Sequence, residues 1–421
     1  MVASPQLVNG KTQRAIVLII DGCGAGAAPD ADKFGDSFDC NTLANIASHV
    51  GSLALPNLGK LGLGNITSIA GVPKNEEASG LFGKLRELSN GKDTQTGHWE
   101  MMGVVSSKAF PLYPEGFPQD VVDRFVELTG CKKILCNMPA SGTEVLDRLG
   151  PEHQKTGYPI VYTSGDSVFQ IACHVETTPL ATLYKWCEIA REMLQGPHRV
   201  GRVIARPFTG SPGAYQRLQG ERRDYAVPPP AETLLDDLCA NRRGVLGIGK
   251  IEDIFVGHGL THAKHTATNL EGLELTLKAL NKELDLNAIK TVKDGPEHVD
   301  LIFTNLVDTD SMYGHRRNVD GYAQALKEID LWVGKIMASM QESDLLIISS
   351  DHGNDPTMPG TDHTREDVPI LVYSPSLDGS KQGVKRDLGI RDGFTDIAAT
   401  LSSWLNVSWK GPGKSCLAEL N

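Results

Sequence analysis

Residues 15–21 read AIVLIID, a run of six aliphatic residues that ends at a carboxylate. A short and nearly continuous aliphatic run of this kind indicates a buried strand of a parallel sheet. Residues 301–310, LIFTNLVDTD, and residues 344–352, DLLIISSDH, repeat the pattern. Ligands of open α/β sheets gather at the carboxyl ends of the strands. We therefore expect an α/β fold with a mostly parallel sheet, and three acidic loops at its functional edge.

Helical patterns alternate with these strands. Helices are predicted over 41–50, 269–284 and 320–340, with Asn41 and Asn269 as N-caps of the first two.

The region 109–227 differs from the rest, because Pro- and Gly-rich joints punctuate it. It has candidate strands of its own at 160–164 and 202–205, and a candidate helix at 179–194. We predict a core formed by residues 1–108 and 228–421, with an inserted α/β cap domain at 109–227.

Composition excludes several classes of partner. The chain has 421 residues and a formal net charge of −11, which disfavours nucleic acid and anionic membranes as partners. Its eight cysteines contain no CxxC pair, which favours reduced thiols in a cytoplasmic protein. No apolar run is long enough to span a bilayer, and no long apolar stripe calls for self-association, so we expect a monomer.

The predicted strand ends carry a set of carboxylates and histidines. It comprises Asp21, Asp310, His315, Asp351, His352 and His363. Mixed oxygen and imidazole ligands suit Mn²⁺ or Zn²⁺ better than Ca²⁺ or Mg²⁺. Six ligands are too many for one closed site but fit two metals that clamp a phosphoryl transfer. A single Asp-His pair would indicate capping or surface residues, whereas three strand-end carboxylates with three histidines favour metal binding.

Other histidines give weaker signals. His258, His262 and His265 lie in HGLTHAKH without a strand-end carboxylate, so we expect a solvated loop or a role behind the metal ligands. His98 is expected to orient a neighbouring residue.

The segment GKDTQTGHWEMMG, residues 91–103, contains Thr94 and Thr96. A threonine hydroxyl is a poor nucleophile unless a metal or a base activates it. Residue chemistry alone slightly favours threonine hydroxyls that cap a helix.

Several long strings resemble the prokaryotic-type phosphopentomutases of the alkaline phosphatase superfamily. They include IIDGCGAGAAPDA, GKDTQTGHWE, VYTSGDSVFQIACH, GRVIARPF, GHRRNVDGYAQAL and SSDHGNDPTMPGTDHTRE, and they follow each other along nearly the whole chain. The resemblance implies an alkaline-phosphatase-like sandwich core with an inserted cap. It also implies an isomerase of nucleoside catabolism that interconverts ribose 1-phosphate and ribose 5-phosphate, and the 2-deoxyribose phosphates.

Roles for individual residues follow from this resemblance. Thr94 would be the phosphorylated nucleophile. The resemblance implies one metal site from Asp310, His315 and His363, and a second from Asp21, Thr94, Asp351 and His352. Manganese is the usual metal of the family, with Zn²⁺ or another divalent ion as the alternative. Contacts to the sugar would come from Ser164 and Asp166, and contacts to the non-reacting phosphate from Arg202, Arg217 and Lys250.

The implied reaction runs through a phosphothreonine and a 1,5-bisphosphate intermediate, with a sugar 1,6-bisphosphate such as glucose 1,6-bisphosphate as primer. Closure of the cap is expected to keep water from the phosphothreonine. Two alternatives stay open. The first is another member of the superfamily, such as a cofactor-independent phosphoglycerate mutase or a phosphatase. The second is a metal-bearing sugar-phosphate sensor without activity. The sequence leaves the pentose preference and the metal open.

Overall fold

The computed structural model describes residues 13–142, 144–164, 167–377 and 386–420. The chain divides into two compact units, one formed by residues 1–108 and 229–421 and the other by residues 109–228. Among the described residues, every helix is too short or too polar to cross a membrane.

Fifteen strands are described: β1 (Arg14–Ile20), β2 (Leu81–Arg86), β3 (Leu135–Pro139), β4 (Ile160–Thr163), β5 (Val168–His174), β6 (Arg202–Thr209), β7 (Gln216–Arg217), β8 (Arg223–Ala226), β9 (Val245–Ile248), β10 (His262–Lys264), β11 (Lys290–Thr291), β12 (Leu301–Leu306), β13 (Asp344–Ser349), β14 (Val368–Tyr373) and β15 (Asp387–Asp392).

Twelve α-helices accompany them: α1 (Thr42–His49), α2 (Pro56–Leu61), α3 (Leu63–Ile66), α4 (Thr94–Met101), α5 (Gln119–Thr129), α6 (Glu144–Thr156), α7 (Leu180–Met193), α8 (Leu234–Ala240), α9 (Ile251–Phe255), α10 (Asn269–Leu280), α11 (Val319–Ser339) and α12 (Asp396–Leu405).

The first unit is built on a nine-stranded sheet in the order β11-β10-β9-β12-β1-β13-β14-β2-β15. Strands β10, β9, β12, β1 and β13 run parallel, and β14 is antiparallel to both β13 and β2. The three aliphatic runs form buried parallel strands, as predicted, and they are neighbours at the centre of the sheet. Ile20 lies beside Leu306 and Ile19 beside Ser349, so the three strands end at nearly the same level.

Burial on both faces explains the continuous aliphatic runs of the central strands. All seven residues of β1 are buried. Ile16, Leu18 and Ile20 share one apolar cluster with residues of α1, α10 and α11. On the side of β1 away from that cluster, Trp404 of α12 donates its indole N–H to Arg14 O at 2.9 Å.

The predicted helices form with small shifts at their ends. Asn41 caps α1 by accepting a hydrogen bond from Ala44 N. The prediction of Asn269 as the cap of α10 is wrong, because the Thr268 side chain accepts from Glu271 N and Asn269 is the first helical residue. That helix ends at Leu280, before residue 284.

The second unit contains a smaller sheet in the order β3-β4-β5-β6-β7, with β8 also paired to β6. Strands β5 and β6 are parallel, whereas β7 and β8 run antiparallel to β6. Residues of α5 and α7 form an apolar cluster with one face of this sheet, and α6 packs on part of the other face.

Candidate metal centre

The carboxyl ends of β1, β12 and β13 bring the predicted acidic residues together. Asp21 follows β1 directly, Asp351 follows β13 by two residues, and Asp310 lies in a π-helical turn, Thr309–Gly314, just after β12. All three carboxylates are buried, with at most 4% exposure. Their convergence is the physical consequence of three parallel strands that end at one level.

One group of possible metal ligands comprises Asp310, His315 and His363, each with a ligand atom within 4.8 Å of the others. His315 Nε2 lies 3.3 Å from Asp310 Oδ2, and His363 Nε2 lies 3.5 Å from Asp310 Oδ1. The other ring nitrogen of His315, Nδ1, is hydrogen-bonded to Thr361 O at 2.6 Å. That bond directs Nε2 toward the carboxylate, an arrangement typical of metal-binding histidines.

A second group comprises Asp21, Asp310 and His352, again within 4.8 Å. His352 Nε2 lies 3.3 Å from Asp21 Oδ1 and 3.4 Å from Asp351 Oδ2. The hydroxyl oxygen of Thr94 lies 3.2 Å from the same nitrogen. The six residues singled out in the sequence thus meet at one place, with Thr94 beside them.

The polar atoms of the cluster fit bound cations. Asp21 Oδ1, Asp351 Oδ2 and His363 Nε2 are buried and lack a hydrogen-bond partner among the described residues. Buried polar atoms are nearly always hydrogen-bonded in native proteins, and several unpartnered ones at a single place indicate that an ion or water binds there. Anionic oxygens and imidazole nitrogens are also the donors that Mn²⁺ and Zn²⁺ accept.

Burial and the charges of neighbouring side chains together shift the pKa values of the residues in the cluster. Burial raises the pKa of Asp21, and the charge of nearby Asp351 raises it further. For Asp351, burial acts upward, but His352 and His98 outweigh it and hold its pKa at about 2. Burial acts downward on His352, yet the surrounding carboxylates, Asp351 foremost, raise its pKa well above the usual value. Such crowded carboxylates need positive charge nearby, and divalent cations would supply it.

Helix α4 positions the two threonines differently. Asp93 is its N-cap, and its carboxylate accepts from Thr96 N at 3.0 Å and from the Thr96 hydroxyl at 2.6 Å. The Thr96 hydroxyl is therefore engaged in the cap, whereas Thr94 is the first helical residue and faces His352. His98 Nδ1 is hydrogen-bonded to Thr94 O at 2.8 Å and lies 3.3 Å from Asp351 Oδ2. His98 thus contacts both the helix start and a candidate ligand, as the prediction that it orients a neighbour requires.

Two asparagines that the sequence analysis missed also hold the carboxylates. Asn305, the fifth residue of β12, donates to Asp21 Oδ2 at 2.8 Å, and Asn354 donates to Asp310 Oδ1 at 2.7 Å. A lone amide within the aliphatic run 301–307, and an amide two residues after the Asp-His pair, are signals that could have identified them.

Two arginines connect the loops of the cluster. Arg317 donates five hydrogen bonds, to Gly314 O, Asn354 Oδ1, Asp355 O, Gly360 O and Asp362 O. Arg365 is 3% exposed and donates to Ser89 O and Gly91 O, at 3.0 and 2.6 Å, in the loop that precedes Thr94. The guanidinium groups thereby fix the loops carrying His315, His363 and Thr94 relative to each other.

The residues assigned to substrate contact lie in both units. Ser164 follows β4, Arg202 begins β6 and Arg217 ends β7 in the second unit, while Lys250 precedes α9 in the first. Arg202 Nη1 lies 3.6 Å from Asp224 Oδ2. Asp166 lies outside the described residues.

The three histidines of HGLTHAKH lie in different environments. His258 and His265 are exposed, and His265 lies 3.4 Å from Glu252 Oε2. The prediction of a solvated loop is wrong for His262, which is buried in β10 beside Thr261 Oγ1. Burial lowers its pKa.

Comparisons with known proteins bear on the family and on the fold. A family model described as the Metalloenzyme superfamily matches residues 13–408, so the chain is a member of that superfamily, in which divalent metals are bound. The phosphopentomutase of Caldanaerobacter subterraneus subsp. tengcongensis is 52% identical over 97% of this chain and 98% of its own. The phosphopentomutase of Alkaliphilus metalliredigens is 51% identical over 96% of this chain and 97% of its own. The chain therefore belongs to the phosphopentomutase family, and it is an isomerase of the phosphotransferase mutase type.

The similarity to solved structures concerns the fold alone. A phosphoglycerate mutase of Leishmania mexicana, crystallised at low cobalt concentration, aligns over 99% of both chains with a TM-score of 0.50 and 10% identity. The predicted fold class, an alkaline-phosphatase-like α/β core with a mostly parallel sheet and an inserted α/β domain, is confirmed.

Proposed function

We propose that the enzyme interconverts ribose 1-phosphate and ribose 5-phosphate, and the corresponding 2-deoxyribose phosphates, through a phosphothreonine at Thr94. Belonging to the phosphopentomutase family supports the pentose phosphate substrates. The observation that carries the proposal at residue level is the position of the Thr94 hydroxyl, 3.2 Å from His352 Nε2 at the edge of the buried carboxylate cluster.

The reaction consists of two phosphoryl transfers that balance each other. In the first, the bond between phosphorus and Thr94 Oγ1 breaks, a bond forms to the free hydroxyl oxygen of the pentose monophosphate, and that hydroxyl's proton is lost as Thr94 regains one. The product is the 1,5-bisphosphate. In the second, the other phosphoryl group of the bisphosphate returns to Thr94. The enzyme ends as it began, and the phosphate has moved between the two positions of the sugar.

Several groups of the chain suit this chemistry. Thr94 begins α4, so a phosphoryl group on it would lie at the positive end of an eight-residue helix. His98 and the capping carboxylate of Asp93 fix the backbone from which the hydroxyl projects. Buried Thr96 stays in the cap, which favours Thr94 as the single phosphorylated residue of the segment.

We propose that Asp310, His315 and His363 hold one metal and that Asp21, Thr94, Asp351 and His352 hold the other. Bound divalent cations would neutralise charge on the transferring phosphoryl group and lower the pKa of an attacking oxygen. The unpartnered atoms of Asp21, Asp351 and His363 support this assignment. Manganese is the metal proposed, with Zn²⁺ as the alternative.

For the substrate, we propose that Arg202, Arg217 and Lys250 bind the non-reacting phosphate and that Ser164 and Asp166 contact the sugar. Guanidinium groups match the geometry of a phosphate, which supports the two arginines. A sugar 1,6-bisphosphate such as glucose 1,6-bisphosphate is proposed as the primer that first phosphorylates Thr94. We further propose a cytoplasmic monomer, in keeping with eight free cysteines.

Intact-mass measurement and phosphopeptide mapping after incubation with glucose 1,6-bisphosphate test the nucleophile. We expect one phosphoryl group, on Thr94, and none in a Thr94→Ala variant. Phosphate on Thr96 or on a serine, with Thr94 unmodified, would overturn the assignment. A Thr96→Val variant is the matched control, since it removes the other hydroxyl of the segment and is expected to keep the modification.

A further inference from the structure

Several arginines project from one face of the second unit's sheet, because the register of its strands aligns them. Val168 lies beside Arg202 and Ala172 beside Arg206 in the parallel pair β5 and β6. Because side chains alternate along a strand, Arg202 and Arg206 project from the same face.

The antiparallel neighbours of β6 add to this face. Phe208 lies opposite Arg217, and Ile204 lies opposite Asp224. Since directly opposed residues project to the same side, Arg217 and Asp224 share the face with Arg202 and Arg206. Arg222, two residues before Asp224, binds the carboxylate of Asp224 through Nε at 2.7 Å and Nη2 at 2.6 Å.

Positive charge is therefore in excess here. The face holds four arginines, namely Arg202, Arg206, Arg217 and Arg222. Among the described residues that project from it, Asp224 supplies the one carboxylate. Burial raises the pKa of Asp224, but the hydrogen bond and charge of Arg222, with the charges of Arg202 and Arg206, outweigh it and keep the pKa below its usual range. One ionised carboxylate leaves a net charge near +3 on the described residues of this face, a strong attraction for an anion.

Arg206 has unused hydrogen-bond donors on this face. Its Nε donates to Gln170 Oε1 at 3.1 Å, and within the described part of the chain its two Nη groups find no acceptor. Burial lowers its pKa to about 10, with the charges of Arg222 and Arg217 acting in the same direction. Arg217 Nε is likewise buried without a described partner. Unused guanidinium donors in a partly buried site are costly unless a ligand accepts from them.

The opposite face offers a contrast. Arg223, between Arg222 and Asp224 on the chain, lies opposite Ala205 and faces the helices, where its guanidinium stacks on the Tyr184 ring at 3.8 Å. The excess charge is thus a property of one face and not of the strand sequence in general.

We propose that Arg206 is a further anion-binding residue of this enzyme. With Arg222 and Asp224 it extends the proposed clamp of Arg202 and Arg217 into a four-arginine site for the dianion of a phosphate monoester. Gln170 orients Arg206, and Asp224 orients Arg222 and reduces the repulsion among the four cations. The inference deepens the proposed function and rests on it for the identity of the ligand, a pentose phosphate.

Two substitutions on this face should act in opposite directions. Arg206→Gln removes a cationic donor, so we expect ribose 5-phosphate to bind about tenfold more weakly. Asp224→Asn removes the counter-charge and keeps the shape, so binding should become about threefold tighter. Arg223→Gln is the matched control, because it removes the same charge one residue away but on the other face.

Calorimetric titration of the full-length, metal-stripped protein with ribose 5-phosphate measures these affinities without turnover, and uncharged ribose controls for sugar contacts. Circular dichroism verifies that each variant is folded. If Arg206→Gln is unstable, Arg206→Lys replaces it, because lysine keeps the charge but lacks the paired N–H donors of the guanidinium. Weaker binding in Arg206→Gln with an unchanged Arg223→Gln supports the site.

Equal affinity in wild type and Arg206→Gln, or equal losses in Arg206→Gln and Arg223→Gln, would overturn it. These outcomes are separate from the proposed function. If the wild-type enzyme shows mutase turnover but Arg206→Gln binds ribose 5-phosphate normally, only the proposed anion site is rejected. If Arg206→Gln binds more weakly than Arg223→Gln but the wild-type enzyme shows no mutase turnover, only the proposed function is rejected.

Discussion

Arg317 has a left-handed backbone conformation, with φ of 53°, which a non-glycine residue adopts only when its surroundings fix it. Its five hydrogen bonds supply that constraint. Through Asn354 it also supports Asp310, since Asn354 accepts from Arg317 at 2.8 Å and donates to Asp310 at 2.7 Å. Arg317 is therefore a positioning residue for the carboxylate common to both groups of candidate ligands.

Arg317→Ala is expected to weaken Mn²⁺ binding by about tenfold, the usual effect of losing a residue that orients metal ligands. Titration of the metal-free protein with Mn²⁺, followed by electron paramagnetic resonance, measures this. Arg316→Ala is the control, because Arg316 is exposed. Equal Mn²⁺ affinities for the two variants would show that the Arg317 network is not needed to hold the ligands.

At this scale the sequence predicts the carboxylates at strand ends well, but it predicts poorly the residues that hold those carboxylates and their loops in place. Asp21, Asp310 and Asp351 follow aliphatic runs and are recognisable from the pattern alone. Asn305 and Arg317 act on atoms contributed by distant parts of the chain: Asn305 on Asp21, 284 residues away, and Arg317 on Asp362, 45 residues away. Only the folded structure brings these partners together.

At the scale of elements, α4 decides which threonine is available. Residue chemistry alone slightly favoured capping for both threonines, and the family resemblance singled out Thr94 as the nucleophile. In the structure Asp93 supplies the cap and Thr96 supports it, which leaves the Thr94 hydroxyl for the proposed nucleophile.

Thr96→Val keeps the side-chain shape but removes the bond from its hydroxyl to Asp93. We expect the start of α4 to open about 1 kcal/mol more easily, which is roughly fivefold faster amide exchange at Gly97 and His98. Thr291→Val, at an exposed site on β11, is the control. Unchanged exchange in Thr96→Val would mean that the hydroxyl does not stabilise the cap.

Gly97 lets α4 approach the end of β13 closely. A Cβ on Gly97 would overlap Asp351 O, a backbone atom that cannot move without moving a candidate ligand. Gly97→Ala should lower kcat by about a hundredfold, because displacements near 1 Å at a reacting group have effects of that size. Gly220→Ala is the control, since a Cβ there would meet nothing within 4 Å. A fully active Gly97→Ala enzyme would contradict the placement of Thr94 beside the cluster.

The central parallel strands were predictable, whereas the direction of β14 and the presence of the edge strand β15 were not. Parallel and antiparallel strands buried on both faces have the same aliphatic signature, so VPILVY of β14 carries no sign of its antiparallel direction. Strand β15 lies at the sheet edge with four of six residues exposed and lacks the signature altogether.

At the scale of the whole molecule, all proposed metal ligands belong to the first unit, whereas the arginine face belongs to the second. The like-charged, buried carboxylates of the first unit repel each other without cations. Removing metal should therefore raise amide exchange around 21–24, 309–315 and 351–363, and leave β5 and β6 unchanged. Hydrogen exchange with and without a chelator, followed by Mn²⁺ restoration, measures this. Equal changes in both units, or none, would contradict a metal centre confined to the strand ends.

The central claim is that a metal-dependent phosphoryl exchange at Thr94 moves phosphate within a pentose. Phosphorus NMR of ribose 5-phosphate with the primed, Mn²⁺-loaded enzyme tests it most directly, alongside Thr94→Ala, chelated enzyme and a parallel sample of 3-phosphoglycerate. We predict that ribose 1-phosphate appears with the active enzyme alone and that 3-phosphoglycerate stays unchanged. Release of inorganic phosphate as the sole product, turnover of 3-phosphoglycerate instead of the pentose, or ribose 1-phosphate formation by Thr94→Ala would contradict the account.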